Sequence, residues 1–397
     1  MTTLITFLGK GQTGGYRDTT YRFDQGQTVS TAYFGLALAE QTGCRHVRIL
    51  GTTGSMWDAL VLDQFDTTGQ ESAWEELVQA VAHNDVSQAQ LDDLARQLSQ
   101  NAKRQYELKL IPYGLDDAEQ IDILRALTAG LPDDPVILDV THGFRHLPML
   151  ALLALFYLRA ARQQHLEAIY YGAYEHKDSN NITPVVRLDG MLNLYEWIRA
   201  LENFNKDGDY GSFADLLTAE NLPGPLFAEA AFLERIANAS LSSQKLTAAI
   251  QKLDETPSLS PAGEFFRPLL KDRTAWHKAG SRAAREHQLA LDYLARRDYL
   301  RAVQFGYEAR VSAATSGDPN DYDNRKNADE RLMQDSKDKN LAVESPANFR
   351  TLKNLRNALA HGVMEADPPG SMSQFIKRIS ARETELQHWL QKALKEK

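Results

Sequence analysis

Three short segments of small and polar residues have the composition of a phosphate-binding site. They are Gly9–Thr13, Gly51–Ser55 and Asp139–Arg145, and each directly follows an apolar run typical of a buried strand. Small residues let backbone N–H groups approach phosphate oxygens, while Lys10 and Arg145 add positive charge. Gly and Thr also favour plain tight turns, but three such segments at the carboxyl ends of parallel strands favour a ligand. The pattern predicts a phosphate-bearing ligand at that edge of a sheet.

The first of these segments also has the spacing GxGxxG, which is found in dinucleotide-binding proteins. A helical pattern does not follow Gly14 directly, and no carboxylate ends the second strand candidate, so we do not expect a nicotinamide or flavin cofactor. Lys10 precedes a glycine and not Ser or Thr, which excludes a Walker P-loop. The candidate ligand-binding residues are Gly9, Lys10, Gly11, Gln12, Thr13, Thr52, Thr53, Ser55, Thr141, His142, Gly143, Phe144 and Arg145.

Metal chemistry has little support in the sequence. Cys44 is the single cysteine, and the 10 histidines show no HExxH or other paired-ligand spacing. His142 and His146 are four residues apart, but His146 is expected to begin a helix. We therefore expect no metal and no organic cofactor.

The elements that position the three segments belong to an α/β pattern. Short apolar runs alternate with helical patterns up to about Asp189, which predicts a doubly wound domain with a mainly parallel sheet. An extra β-ribbon is expected around Tyr21–Val29 and Pro184–Leu188. From Met191 onward the pattern is all helical, so the fold class is α/β plus all-α.

Composition divides the helical part further. We expect a ligand-binding domain at residues 1–190, a helical connector at 191–277 and a helical bundle at 278–397. Within the bundle, Asp318–Asn340 mixes acidic and basic residues with few apolar ones. We expect this segment to be a mobile loop.

The overall composition is that of a globular protein, with 43% apolar residues, 24% charged residues and a formal net charge of −9. The longest apolar run, Leu147–Leu158, is shorter than the roughly 20 residues that span a bilayer. Met1 leads directly into a strand pattern without a signal peptide, so we expect a cytoplasmic protein with no membrane partner. The net acidic charge excludes coating of long nucleic acids through bulk electrostatics, and any nucleic acid must bind at a local site.

The motif DxTHG at Asp139–Gly143 resembles that of the CRISPR-associated Rossmann-fold (CARF) sensor domains of type III CRISPR ancillary proteins. Three further segments of the resemblance, Phe7–Gly9, Gly51–Asp58 and Tyr170–Glu175, occur in the expected order. The resemblance covers about residues 1–190 and implies a Rossmann-like domain that binds a cyclic oligoadenylate across a homodimer. The resemblance leaves open whether this protein forms an oligomer larger than a dimer. By family analogy, cyclic tetra-adenylate is favoured over the hexa-adenylate.

The same family usually has a HEPN ribonuclease domain behind its sensor, with the motif RxxxxH and a polar residue after the Arg. Arg356, Asn357 and His361 fit this pattern. A second RxxxxH at Arg282–His287 has Ala after its Arg, and its charges are typical of a solvated helix face. The resemblance therefore implies acid–base work for His361, phosphate charge stabilisation for Arg356 and orientation for Asn357.

Together these expectations indicate a cyclic oligoadenylate-activated endoribonuclease that cleaves single-stranded RNA in type III CRISPR antiviral defence. An imidazole that titrates near neutral pH can move a proton to or from a ribose oxygen, so the reaction needs no metal. The alternative is a CARF-type ligand-binding regulator, a transcription factor or a scaffold, without nuclease activity.

Overall fold

The structure is a computed structural model that describes residues 2–10, 16–64, 71–101, 104–362 and 372–395. Contacts divide the chain into two compact units, Met1–Leu192 and Asn193–Lys397. Among the described residues, no helix combines the length and apolar character needed to cross a membrane.

The described part of the first unit forms one sheet of eight strands. The strands are β1 (Thr3–Leu8), β2 (Thr19–Arg22), β3 (Thr28–Thr31), β4 (His46–Gly51), β5 (Gln105–Leu110), β6 (Val136–Asp139), β7 (Leu166–Gly172) and β8 (Ile182–Arg187). Their order across the sheet is β3-β2-β8-β7-β6-β1-β4-β5. β7, β6, β1, β4 and β5 are parallel, whereas β8 runs antiparallel to β7 and β2 pairs with β3 as a ribbon. The predicted fold class is confirmed.

Helices accompany this sheet, and its central strand is buried along its whole length. The helices of the first unit are α1 (Phe34–Thr42), α2 (Trp57–Gln64), α3 (Glu71–Ala82), α4 (Gln88–Asn101), α5 (Asp117–Thr128) and α6 (His146–Arg162). The next helix, α7 (Asp189–Asp207), spans the boundary between the units and contributes buried residues to the core of the second unit. All six residues of β1 are buried, as expected for a parallel strand with helices on both faces. The loops after β6, β1 and β4 therefore leave the sheet side by side at one edge.

The second unit is helical throughout its described residues. Its helices are α8 (Ala214–Ala219), α9 (Gly224–Arg235), α10 (Ala239–Glu255), α11 (Pro261–Arg273), α12 (Arg282–Ala295), α13 (Tyr299–Ala314), α14 (Tyr322–Asp338), α15 (Phe349–His361), α16 (Met372–Ser380) and α17 (Glu383–Lys395). One cluster of buried apolar side chains extends from Trp197 to Leu394. Helices of the expected connector and of the expected bundle share this core.

The prediction of a mobile loop at Asp318–Asn340 was wrong, because most of this segment forms α14. Asp321 caps the helix by accepting a hydrogen bond from the backbone N–H of Asn324. The guanidinium of Arg325 pairs with Glu308 of α13. Charge pairs and caps hold this polar helix in place, and such interactions leave no apolar periodicity in the sequence.

The carboxyl group of Glu234 is one of those buried inside the second unit. Glu234 of α9 is 3% exposed, and its Oε1 accepts a hydrogen bond of 2.5 Å from the hydroxyl of Tyr293. Burial raises the pKa of Glu234 to about 7, although the hydroxyls of Tyr293 and Tyr210 oppose the shift. The pKa of Glu in an unfolded chain is near 4.5. The folded protein therefore binds a proton at Glu234 more tightly than the unfolded chain does.

We predict that this group makes stability depend on pH. The folded state holds the extra proton between about pH 4.5 and pH 7, so the free energy of unfolding falls as the pH rises through that range. Glu234→Gln should remove this fall and stabilise the protein at pH 8 by about 1 to 3 kcal/mol relative to the wild type. The melting temperatures of both proteins at pH 5 and pH 8 measure the effect.

The control is Glu229→Gln on the same helix, where the carboxylate is half exposed and pairs with Lys245. It should not change the pH dependence. A difference in melting temperature between Glu234→Gln and wild type that is the same at both pH values would contradict the prediction.

Candidate functional site

A buried carboxylate organises the edge of the sheet between β1 and β7. Asp139 ends β6 and is fully buried, and its Oδ2 accepts a hydrogen bond of 2.6 Å from the hydroxyl of Thr6. Its Oδ1 accepts a hydrogen bond of 2.8 Å from the backbone N–H of Thr141. Burial raises the pKa of Asp139, against the opposing effect of nearby His142. The carboxylate thus fixes the turn that follows β6.

This turn places Thr141 and His142 next to the neighbouring strands. The hydroxyl of Thr141 accepts a hydrogen bond of 2.9 Å from the backbone N–H of Gly172 at the end of β7. The imidazole of His142 stacks on the ring of Tyr16 at a centroid distance of 4.4 Å. Burial lowers the pKa of His142 in spite of Asp139, which favours the neutral ring. Its Nε2 is shielded from solvent and has no hydrogen-bond partner among the described residues.

Tyr16 connects the imidazole to the first loop. Its hydroxyl accepts a hydrogen bond of 2.8 Å from the backbone N–H of Gly9. Burial raises the pKa of Tyr16 to about 12, so the phenol stays protonated. Sequence reasoning missed this residue, although it follows the glycine-rich segment directly.

These side chains line a pocket of about 270 Å³. The lining residues are Tyr16, Arg17, Thr19, Tyr21, Ala32, Thr141, His142, Tyr171, Gly172, Tyr174 and Glu175. Aromatic faces can stack on bases, while Arg17 and the hydroxyl groups can bind phosphate oxygens. Of the candidate ligand-binding residues, Thr141 and His142 belong to this pocket, and its tyrosines and Arg17 were not among the candidates.

The second loop uses its hydroxyl groups to hold its own turn. Ser55 donates a hydrogen bond of 2.7 Å to the carbonyl of Leu8 and accepts one of 2.9 Å from the backbone N–H of Thr52. The indole N–H of Trp57 donates to the carbonyl of Thr52 at 3.0 Å. Thr52 and Ser55 are buried, and Thr53 is partly exposed. Their hydrogen bonds join the loop after β4 to the end of β1.

The remaining candidates that the structure describes lie in the loops after β1 and β6. Lys10, Gly143, Phe144 and Arg145 are exposed, and Gly9 is buried. Gly143 has φ +98°, a conformation that side chains rarely adopt. Gly11, Gln12 and Thr13 lie outside the described residues. His146 begins α6 as expected, and its Nε2 lies 2.8 Å from the carbonyl of Tyr113.

A second candidate site lies at the end of α15 in the other unit. Arg356 donates hydrogen bonds of 3.2 Å from Nε and 2.9 Å from Nη2 to Oδ1 of Asn357. The guanidinium of Arg356 lies over the ring of Tyr307, 4.5 Å from its centroid. His361 is the last residue of the helix and is exposed, and Gly362 follows with φ +83°. An exposed imidazole on the same helix as a guanidinium and an amide provides groups that can act on a phosphodiester.

The other RxxxxH segment, Arg282–His287, has a structural role. The prediction that its charges form a solvated helix face was wrong. Glu286 is fully buried, pairs with Arg282 at 2.7 Å and accepts a hydrogen bond from Ser312. Nε2 of His287 lies 2.6 Å from the carbonyl of Leu394. The polar atoms of Glu286 and His287 thus have partners within the protein.

Metal ligands do not cluster in the part of the chain that the structure describes. No group of three or more His, Cys, Asp or Glu side chains there could hold an ion. The two candidate sites combine aromatic, hydroxyl, imidazole and guanidinium groups with the carboxyl groups of Asp139 and Glu175 and the amide of Asn357.

Comparisons with known proteins concern the first of these sites. Residues 3–175 match the family model described as CRISPR system endoribonuclease Csx1, CARF domain. The CRISPR-associated protein MJ1674 of Methanocaldococcus jannaschii is 26% identical over 243 residues. The alignment covers 55% of this chain and 38% of that relative, so the chain spans about two fifths of the length of the curated relative.

We predict that the Tyr16 hydroxyl protects the Gly9 amide from solvent exchange. Tyr16→Phe removes the acceptor of that N–H while it keeps the ring on His142, and loss of a shielded hydrogen bond costs about 1 to 2 kcal/mol. Exchange of the Gly9 amide should accelerate by about 5- to 30-fold, measured by hydrogen–deuterium exchange of the full chain.

Tyr174→Phe is the matched control, because Tyr174 lines the same pocket and is 48% exposed. It should leave exchange at Gly9 unchanged. Equal protection of Gly9 in Tyr16→Phe and in the wild type would show that the phenol does not hold this loop.

Proposed function

We propose that this protein is a cyclic oligoadenylate-activated endoribonuclease of type III CRISPR defence, because residues 3–175 match the family model of the Csx1 CARF domain. It cuts single-stranded RNA in the cytoplasm during antiviral defence, without a metal. The observation that carries the proposal is that one chain combines this match with an exposed His361 one turn after Arg356 and Asn357.

The pocket beside Asp139 supports a nucleotide ligand. Several tyrosine rings line it, and every adenine has a face that can stack on such a ring. Arg17 and the exposed Arg145 offer charge to phosphates, and the shielded Nε2 of His142 has no hydrogen-bond partner among the described residues. A cyclic tetra-adenylate is preferred to the hexa-adenylate by family analogy.

One face of α6 supports a homodimer of the sensor. Met149, Leu153 and Tyr157 follow at intervals of four residues and are 68%, 57% and 56% exposed. Such a stripe of large apolar side chains is unusual on a free surface. α6 begins directly after the DxTHG loop, so a second copy on this face would bring two pockets together around a two-fold axis. A ring with an even number of nucleotides has matching symmetry.

The proposed chemistry assigns one step to each residue of the second site. His361 takes the proton from the ribose 2′-OH or returns one to the leaving 5′ oxygen. Arg356 stabilises the charge that develops on the phosphate, and Asn357 holds the guanidinium through its Oδ1. One imidazole cannot serve as acid and base in the same step, so two copies of the motif would face each other in the dimer.

We predict that His142→Ala weakens binding of the cyclic oligoadenylate. The variant removes the imidazole that lines the pocket, and loss of one buried polar contact corresponds to about 5- to 30-fold in Kd. Calorimetry on the full chain with the tetra- and hexa-adenylate rings measures this. His146→Ala, four residues further on, is the control and should bind within about twofold of wild type. Unchanged binding in His142→Ala would remove this pocket from the ligand site.

We predict that RNA cleavage depends on the ring, on His361 and not on a metal. His361→Ala should lower the rate by about 10²-fold or more, while binding of the ring is unchanged. The products should carry a 2′,3′-cyclic phosphate and a 5′-OH, and EDTA should have no effect. A gel assay with and without the ring, followed by mass spectrometry of the ends, tests all three points.

His388→Ala is the matched control, since His388 is also an exposed helical histidine of the second unit. His287 is unsuitable because its ring contacts the carbonyl of Leu394. A 5′-phosphate on the products, or full inhibition by EDTA, would overturn the mechanism. Ring binding without any cleavage would favour the regulator or scaffold instead.

A further inference from the structure

The guanidinium of Arg356 rests on an aromatic ring from a neighbouring helix. The ring is that of Tyr307 in α13, 9% exposed, and its other neighbour is the ring of Phe349 at a centroid distance of 5.4 Å. Phe349 and Arg356 are seven residues apart on α15, so they share one face about 10.5 Å apart along the axis. The ring of Tyr307 thus contacts two side chains of one face of α15.

An acidic residue of α14 fixes the orientation of this ring. Oδ1 of Asp329 accepts a hydrogen bond of 2.8 Å from the hydroxyl of Tyr307, and its Oδ2 pairs with the ammonium of Lys353. Burial and Asp329 raise the pKa of Tyr307, so the phenol remains a donor. Lys353 lies between Phe349 and Arg356 on the same face of α15. The Tyr307–Asp329 pair thus contacts three successive side chains of that face.

We infer that Tyr307 and Asp329 are positioning residues, which hold the Arg356 guanidinium in the orientation that binds the scissile phosphate. This inference rests on the proposed ribonuclease function. A cation over an aromatic face gains electrostatic stabilisation, and its N–H groups stay in the guanidinium plane, where they can donate to phosphate oxygens. A long Arg side chain without this support has many rotamers, and catalysis depends on a fixed geometry.

The experiment measures kcat and KM for RNA cleavage by the full chain at saturating cyclic oligoadenylate. Tyr307→Leu removes the ring face and should lower kcat by about 10- to 100-fold, with KM within about threefold. Tyr307→Phe keeps the face but not the hydrogen bond to Asp329, so it should restore most of the lost rate. Asp329→Asn should lower kcat by about 3- to 10-fold, because Lys353 and the phenol lose the charged partner.

The matched control is Tyr299→Leu, because Tyr299 lies on the same helix and also donates to a carboxylate, that of Glu383, at 2.8 Å. Its kcat should equal that of wild type. If Tyr307→Leu does not fold, as judged by circular dichroism, Asp329→Asn decides the question. Wild-type kcat in Asp329→Asn would overturn the inference, as would a loss expressed only in KM.

The failure of this inference is distinct from a failure of the proposed function. If the unchanged protein does not cleave RNA in the presence of any ring, the ribonuclease proposal fails and the inference fails with it. If the unchanged protein cleaves and the Tyr307 variants cleave equally well, only the positioning role is wrong.

Discussion

The hydrogen bonds of one buried carboxylate determine the shape of the pocket at the sheet edge. Asp139 holds the backbone of Thr141, which places His142 against the ring of Tyr16. Tyr16 in turn holds the backbone of Gly9. Segments that are more than 120 residues apart in sequence are thus joined at the edge of the sheet by two hydrogen bonds and one ring stack. Because a buried polar group is costly to leave unpaired, this arrangement is far more stable than a looser one with the same loops.

The fold and part of the site follow from the sequence, because periodicity and strand order are local or nearly local properties. Alternating apolar runs predicted the parallel sheet, and its topology places the loops after β6, β1 and β4 side by side. Helix α14 was not predicted, because its sequence has few apolar residues. Tyr16, Tyr307 and Asp329 were missed because their importance comes from contacts with residues distant in sequence. No pattern in a single sequence records such pairs.

Residue type alone also does not separate a ligand-binding group from a structural one. Ser55 was a candidate donor for phosphate, but its hydroxyl already donates to Leu8 and accepts from Thr52. His287 occupies the same motif position as His361, but its ring contacts a backbone carbonyl whereas His361 is exposed. What distinguishes the two classes is whether the polar atoms are already satisfied within the protein.

Helix α14 is attached to the second unit mainly through polar side chains. This helix is held by the ion pairs of Arg325 with Glu308 and of Asp329 with Lys353, and Ala328 is its one fully buried apolar residue in the described structure. The side chains of both pairs are only 14% to 27% exposed, so salt screens them less than it screens surface pairs. The apolar contribution is small, because Leu332 and Met333 are only partly buried against the core. α14 should therefore open locally before the core around Trp197 unfolds, and proteolysis of the folded protein should begin within this helix.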